Sequence, residues 1–225
     1  MVDDGGLAVM DQEVDRLVAT DPPPAAHVGH HFYWRDPAGS PGLFEVLDGD
    51  AGVLAVAGQL ARGGRLEVAF DQAQVALNIP TFSHRPGRPH LDGYADGRAI
   101  PGTFTMLAAV LLTDELDDDS GNLWAWPGTH LVHARYFADR GPGAFNDDGG
   151  YPEVELPEPA QVHGRRGDLL LAHYLLGHNI GGNVADRTRR VVYWRLRAPG
   201  GSAGDAGGTA SWEDRLTDPW CELRG

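Results

Sequence analysis

The sequence predicts an α+β protein, mainly β, built as a jelly-roll-like core behind N-terminal flanking helices. Two observations carry that prediction. Helical spacing of apolar residues is confined to residues 1–65. From Leu66 onward the apolar runs are short and separated by Gly, Pro and Asp clusters, the pattern of a sandwich or barrel and not of alternating βαβ units.

The first element falls over residues 7–19, where Leu7, Val9, Met10, Val14, Leu17 and Val18 recur at three- and four-residue spacings with acids between them. Asp21-Pro22-Pro23-Pro24 then stops that helix, because proline removes a donor and clashes with the preceding turn. A second helix is predicted over about residues 42–61, ended by Gly63-Gly64. Strands are predicted at 66–70, 74–79, 103–112, 123–126, 168–174 and 190–196. Residues 199–210 have the composition of a flexible linker. The segment 212–220 is expected to dock back, since Trp212 and Trp220 would seldom sit in an unpacked tail. At 225 residues the chain can bury one substantial core, so a single domain over 1–225 is expected: 1–65 as helical support, 66–197 as core, 198–225 as linker and docking segment.

Composition excludes several functions. The net charge of −14 argues against a surface that neutralises phosphates, so nucleic acid, anionic membrane and a coenzyme-A thioester are not expected partners. All 18 cationic residues are arginines. With no lysine there is no Schiff base for pyridoxal chemistry and no Walker-type phosphate loop. The lone cysteine, Cys221, permits no intramolecular disulfide. Met1-Val2-Asp3-Asp4 lacks the basic start of a secretory signal, and no apolar run approaches a membrane span. A cytoplasmic protein is expected.

His90-Leu91-Asp92 follows the polar stretch Ser83-His84-Arg85-Pro86-Gly87-Arg88-Pro89. In an extended segment residues i and i+2 share a face, so both side chains can reach one ion. A distant second imidazole would complete a two-histidine, one-carboxylate facial set, the arrangement that holds non-haem Fe(II) with positions left open. His178, in Leu175-Leu176-Gly177-His178-Asn179, ends an apolar strand and is assigned that role. His173 lies five residues earlier and is the competing candidate. Arg189 sits eleven positions after His178, beyond the turn Gly181-Gly182-Asn183, where a hairpin returns it beside the metal. Its planar fork suits the distal end of a dicarboxylate. Arg187 and Arg190 flank it and would take its place if the register shifted by one.

The order His90-x-Asp92, Ser120-Gly121-Asn122-Leu123-Trp124-Ala125-Trp126-Pro127-Gly128-Thr129-His130, Gly167-Asp168-Leu169-Leu170-Leu171-Ala172-His173, His178 and Arg189 resembles the phytanoyl-CoA dioxygenase family across about residues 66–197. The resemblance implies a double-stranded β-helix, Fe(II) held by His90, Asp92 and His178, and 2-oxoglutarate and O2 as cosubstrates, with release of succinate and CO2. Hydroxylation of a small molecule, such as an amino-acid-like or natural-product intermediate, is the implied reaction. Desaturation, epoxidation and cyclisation use the same ligands. Related halogenases replace the carboxylate with a small residue, and Asp92 disfavours that outcome. Two other classes compete: a metal-dependent cupin-like isomerase or hydrolase, and a non-catalytic ligand-binding protein of the same fold. Neither needs a dicarboxylate clamp together with all three ligands.

Asn78, in Val75-Ala76-Leu77-Asn78-Ile79-Pro80, is a candidate for the cosubstrate's inner carboxylate, with turn capping as the alternative. His27, His30 and His31 beside Phe32, Tyr33 and Trp34 match no closed zinc site and are read as a packed loop edging the substrate pocket. His130 is expected to hold a turn. Asp114-Glu115-Leu116-Asp117-Asp118-Asp119 is read as a solvated acidic loop. Trp124 and Trp126 are expected in the core. The sequence identifies neither substrate-binding residues nor the oligomeric state.

Overall fold

The computed structural model describes residues 2–49, 52–60, 65–92, 104, 106–140, 151 and 153–197. The linker and docking segment expected after 198 lie outside these residues. In chain order the elements are α1 (Asp4–Thr20), β1 (Gly29–Arg35), α2 (Val53–Leu60), β2 (Glu67–Ile79), β3 (Met106–Leu111), β4 (Leu123–Ala125), α3 (Thr129–Arg140), β5 (Ala160–Gln161), β6 (Leu169–His173), β7 (His178–Ile180) and β8 (Arg189–Arg197). All strand pairs are antiparallel and form a five-stranded sheet, ordered β1-β2-β8-β3-β6, and a three-stranded sheet, ordered β5-β4-β7. The chain is therefore an α+β protein with antiparallel sheets. No helix among the described residues is long and apolar enough to cross a membrane.

The larger sheet is buried on both faces, and strand periodicity assigns residues to each. Met106, Ala108 and Val110 of β3 with Val192, Trp194 and Leu196 of β8 pack under Met10, Val14 and Leu17 of α1. Leu107, Ala109 and Leu111 with Val191 and Tyr193 pack on the other side, against Ala134 and Phe137 of α3. Coverage on both sides explains why β3 reads as an unbroken apolar run. Asn78, Ala76 and Gln74 of β2 share the parity of the second face, as do Arg189 and Arg195 of β8. That face carries the site.

Aspartate caps α1: the Asp3 carboxylate accepts from Gly6 N at 2.8 Å. The helix expected over 42–61 is not continuous. Residues Pro41–Leu43 and Glu45–Leu47 form short 3₁₀ turns, the chain swings at Gly49 (φ +97°), and only then does α2 begin. The strands expected at 66–70 and 74–79 are one strand, β2, interrupted where its pairing with β8 shifts between Val68 and Ala73. The segment read as a packed loop is β1, the edge strand on β2. Helix α3 has no counterpart among the expected elements, and His130 stands in its first turn.

Candidate metal site and its cavity

His90, Asp92 and His178 converge, each offering one ligand atom, with these atoms within 4.8 Å of one another. Among the described residues no other group of three such side chains gathers in this way. The convergence rests on a two-way backbone bridge: His90 N donates to His178 O at 2.8 Å and His178 N donates to His90 O at 3.2 Å. Leu91, buried in the second core, fixes the chain between the first two side chains. His90 Nε2 lies 3.3 Å and His178 Nε2 3.8 Å from Asp92 Oδ1. Adjacent ligands about 2.1 Å from one octahedral ion sit about 3 Å apart, so small side-chain adjustments complete the set. Imidazole and carboxylate are the donor set of a facial triad, and the residues present fit such an ion.

The surroundings orient these candidate ligands. His178 Nδ1 lies 2.8 Å from Leu176 O, which places the proton there and leaves Nε2 as the lone-pair donor. Thr129 holds the approach to His178: its hydroxyl donates to Trp126 O at 2.6 Å and accepts from Gly177 N at 2.9 Å. Burial pushes His178 below its ordinary pKa, outweighing the pull of Asp92, so the ring is neutral as a ligand must be. Burial alone would raise the Asp92 carboxyl. The hydrogen bond from His90, with His178 and Arg195, outweighs it and holds Asp92 well below the usual carboxylate range.

Arg195 was not singled out by the sequence, yet its Nη2 lies 2.6 Å from Asp92 Oδ2. The guanidinium is steered by Gln74 Oε1 at 3.4 Å and by the Trp34 ring, whose centroid is 5.1 Å from Cζ. Alternation along β8 from Arg189 was the one available signal, since both residues share a face.

Arg189 is 2% exposed and donates through Nε to Glu115 Oε1 at 2.8 Å and through Nη2 to the Tyr193 hydroxyl at 3.0 Å. Its Nη1 is closed from solvent and has no hydrogen-bond partner. A buried guanidinium nitrogen without an acceptor fits an anionic ligand. Tyr193, the hydrogen-bond partner of Arg189, lines the cavity while Arg189 does not, and Gly121 (φ +93°) lies against Arg189, where a Cβ would come within 2.9 Å of Arg189 Cβ. Burial opposes its charge most strongly, but Tyr193 and Glu115 outweigh it and the pKa is raised. Glu115 corrects the reading of 114–119 as a solvated loop. It is 1% exposed, and burial pushes its carboxyl up against the opposing pull of Arg189.

Asn78 pairs in register with Arg189, but its Nδ2 donates to Gly181 O at 2.7 Å, and the side-chain atom left without a partner is the acceptor Oδ1. His173, the competing ligand, lies on β6 with Nδ1 accepting from Leu175 N at 3.0 Å, and it does not join the group around Asp92. Arg187 donates to Asp114 O and Arg190 pairs with Asp15, both away from the triad. On β1, His30 and His31 alternate across the strand, so no second metal cluster forms, while His30, Phe32 and Trp34 line the cavity as expected of a segment edging a pocket. Trp124 and Trp126 are both buried.

The triad opens into a cavity of about 830 Å3, towards the upper end for small-molecule sites. Fold and site together define a protein built on antiparallel sheets, with a candidate metal triad that lines a cavity. The chain belongs to the phytanoyl-CoA dioxygenase (PhyH) family, whose pattern matches residues 53–191 and so takes in the triad and Arg189. Comparison with the sequences of curated proteins finds no match. Solved structures do match. The α-ketoglutarate-dependent carbocyclase SnoK from nogalamycin biosynthesis superposes with a TM-score of 0.64 at 19% identity, covering 92% of this chain and 81% of its own. The epimerase SnoN, in complex with Fe3+, α-ketoglutarate and nogalamycin RO, gives 0.62 at 22% identity over 93% and 84%. HygX from Streptomyces hygroscopicus, with nickel and 2-oxoglutarate bound, gives 0.59 at 17% over 88% and 79%. At these identities the likeness establishes the fold.

Proposed function

We propose that this protein is a single-domain, cytoplasmic, Fe(II)- and 2-oxoglutarate-dependent dioxygenase that hydroxylates a small molecule, with the two sheets forming a double-stranded β-helix. The observation that supports this most directly is the convergence of His90, Asp92 and His178 at the end of an open cavity. In this reading His90 Nε2, Asp92 Oδ1 and His178 Nε2 hold the metal. A metal held by these three side chains would keep room for the cosubstrates. Bound there, iron with 2-oxoglutarate supplies oxidising power, with release of succinate and CO2.

The chain's own residues bind and orient. Arg189 Nη1, lacking an acceptor, takes the distal carboxylate, and the Glu115 contact at Nε fixes the orientation of the fork. Asn78 assists at the cosubstrate by trading its Gly181 O contact for a carboxylate oxygen. Hydroxylation is proposed over halogenation because Asp92 occupies the position of the carboxylate ligand. An isomerase or hydrolase using the same metal set would have no use for the partnerless nitrogen on Arg189.

The test is an anaerobic titration with Fe(II) and 2-oxoglutarate, watching for the visible charge-transfer band of a bidentate oxoacid. Wild type should show the band, and Arg189→Ala should weaken it while metal content stays near normal. Folded, metal-loaded wild type without a band would sink the assignment.

A further inference from the structure

Of the described Phe, Trp and Tyr residues, three are exposed, and all three line this one cavity: Phe32 at 38%, Trp34 at 44% and Phe70 at 56%. Their exposure has a structural cause. Phe32 and Trp34 project from one side of β1, while Tyr33 between them points into the opposite core. Phe70 sits at the irregularity of β2, where two successive non-glycine residues, Phe70 (φ +65°) and Asp71 (φ +46°), hold left-handed backbone. Such a pair is strained for L-residues and persists where the placement serves a purpose. Here it turns an aromatic ring outward, onto the mouth.

Among the described residues the charged side chains in the wall are Asp92 and Arg195, and they are engaged with each other at 2.6 Å. Arg189, outside the wall, is matched by Glu115. A divalent metal and a dianionic cosubstrate would cancel in turn, leaving no uncompensated charge among the described residues of the wall. The remaining polar side chains facing the mouth include the neutral amides Gln72, Gln74 and Asn179, suited to hydroxyl or carbonyl groups.

We propose that the mouth formed by Phe32, Trp34 and Phe70 is the substrate site and that it takes an uncharged molecule with a flat, apolar ring face. This rests on the oxygenase reading above, which fixes where the reacting atom must lie. The rings supply stacking area at low entropic cost and the amides set orientation, while the cancelled charges disfavour a carboxylate or ammonium that would have to shed water unpaired.

Two probes with one ring system test it: N-phenyl-1-naphthylamine, which is uncharged, and 8-anilino-1-naphthalenesulfonate, which adds a sulfonate. Binding is read by fluorescence on the full chain loaded with redox-inert Zn(II) and 2-oxoglutarate. The uncharged probe should bind about 10-fold more tightly, reflecting the cost of desolvating the sulfonate without a partner. Trp34→Ala and Phe70→Ala should each weaken it about 3- to 10-fold, the value of one aromatic contact. Leu131→Ala, exposed and outside the cavity, should change nothing. Equal or tighter binding of the sulfonate, or indifference to both aromatic substitutions, overturns the proposal. The iron charge-transfer titration, run on metal-free portions of the same proteins, separates the two failures. A wild type with the band and no ring preference refutes this inference alone, whereas one without the band removes the oxygenase reading and this inference with it.

Discussion

Asp92 presents Oδ1 to His90 and His178 and Oδ2 to Arg195 at 2.6 Å, so its two oxygens serve different partners. In the proposed metal site that division would leave Oδ1 of the carboxylate for the ion. Arg195→Met would leave Oδ2 buried and unpaired, and the carboxylate would lose the contact that fixes its orientation. Loss of such an outer contact costs about 10- to 100-fold in metal affinity. Anaerobic Fe(II) titration should show that loss, with partial recovery in Arg195→Lys. A merely structural arginine would lower the melting temperature and leave the affinity of the folded protein unchanged. The convergence of His90 with Asp92 was legible because an i, i+2 spacing in extended chain places both side chains on one face. Arg195 and Glu115 were not, because their roles depend on registry between strands far apart in sequence. In the chain Arg195 reads as one of several arginines on a strand, and Glu115 as one acid in an acidic run.

The segment carrying His90 and Asp92 is held mainly by the stretch after β7. Phe82 N donates to Asn183 O at 2.8 Å, Asn183 N to Phe82 O at 2.7 Å and Gly182 N to His84 O at 2.7 Å. Gly182 lies so close that a Cβ there would collide with Phe82 O and His84 N, both backbone atoms that cannot swing aside. Gly182→Ala must therefore push the two segments apart at the level that sets the bridge between His90 and His178. Overpacking of this kind costs about 1–3 kcal/mol, and each kcal/mol lowers the melting temperature of a chain this size by about 2–4 °C. We expect both a lower melting temperature and weaker metal binding, read by calorimetry and Fe(II) titration. Gly87→Ala in the same segment meets nothing within 4 Å and should be silent in both. Wild-type behaviour of Gly182→Ala would mean that the segment is anchored elsewhere. Elements with plain apolar periodicity, α1 and the strands of the larger sheet, could be read from sequence. Helix α3 could not, since its buried face uses Thr129, His133, Ala134 and Phe137, a helical spacing carried partly by polar residues. Strand β1 escaped because its aromatics and histidines fall on both faces, so no hydrophobic alternation shows.

Across the whole molecule, acid sensitivity pits buried histidines against surface charge. His133 is fully buried, its Nδ1 2.7 Å from Leu175 O and its Nε2 against the Tyr151 hydroxyl. Burial pushes it below the ordinary histidine pKa, and burial does the same to His30, His31, His130 and His178. A group whose folded pKa is depressed binds its proton more readily when unfolded. The stability these rings support is thus complete above about pH 6.5, the unfolded value, and is lost as pH falls below it toward the folded values. Asp92 and Glu13, also depressed, act only below about pH 4. Two effects run the other way. Burial raises Glu115, which therefore gains as pH falls, and the net charge of −14 repels itself less in acid. Salt separates surface from interior, because at about 1 M the screening length is only about 3 Å while buried groups are screened far less. Melting temperatures measured on metal-free protein at about 1 M salt should fall from pH 7.5 to pH 5.5. His133→Gln should flatten that slope whatever it does to the absolute value at pH 7.5. A wild-type melting temperature that stays level or rises over this interval would place the dominant buried titration on Glu115 and not on the histidines.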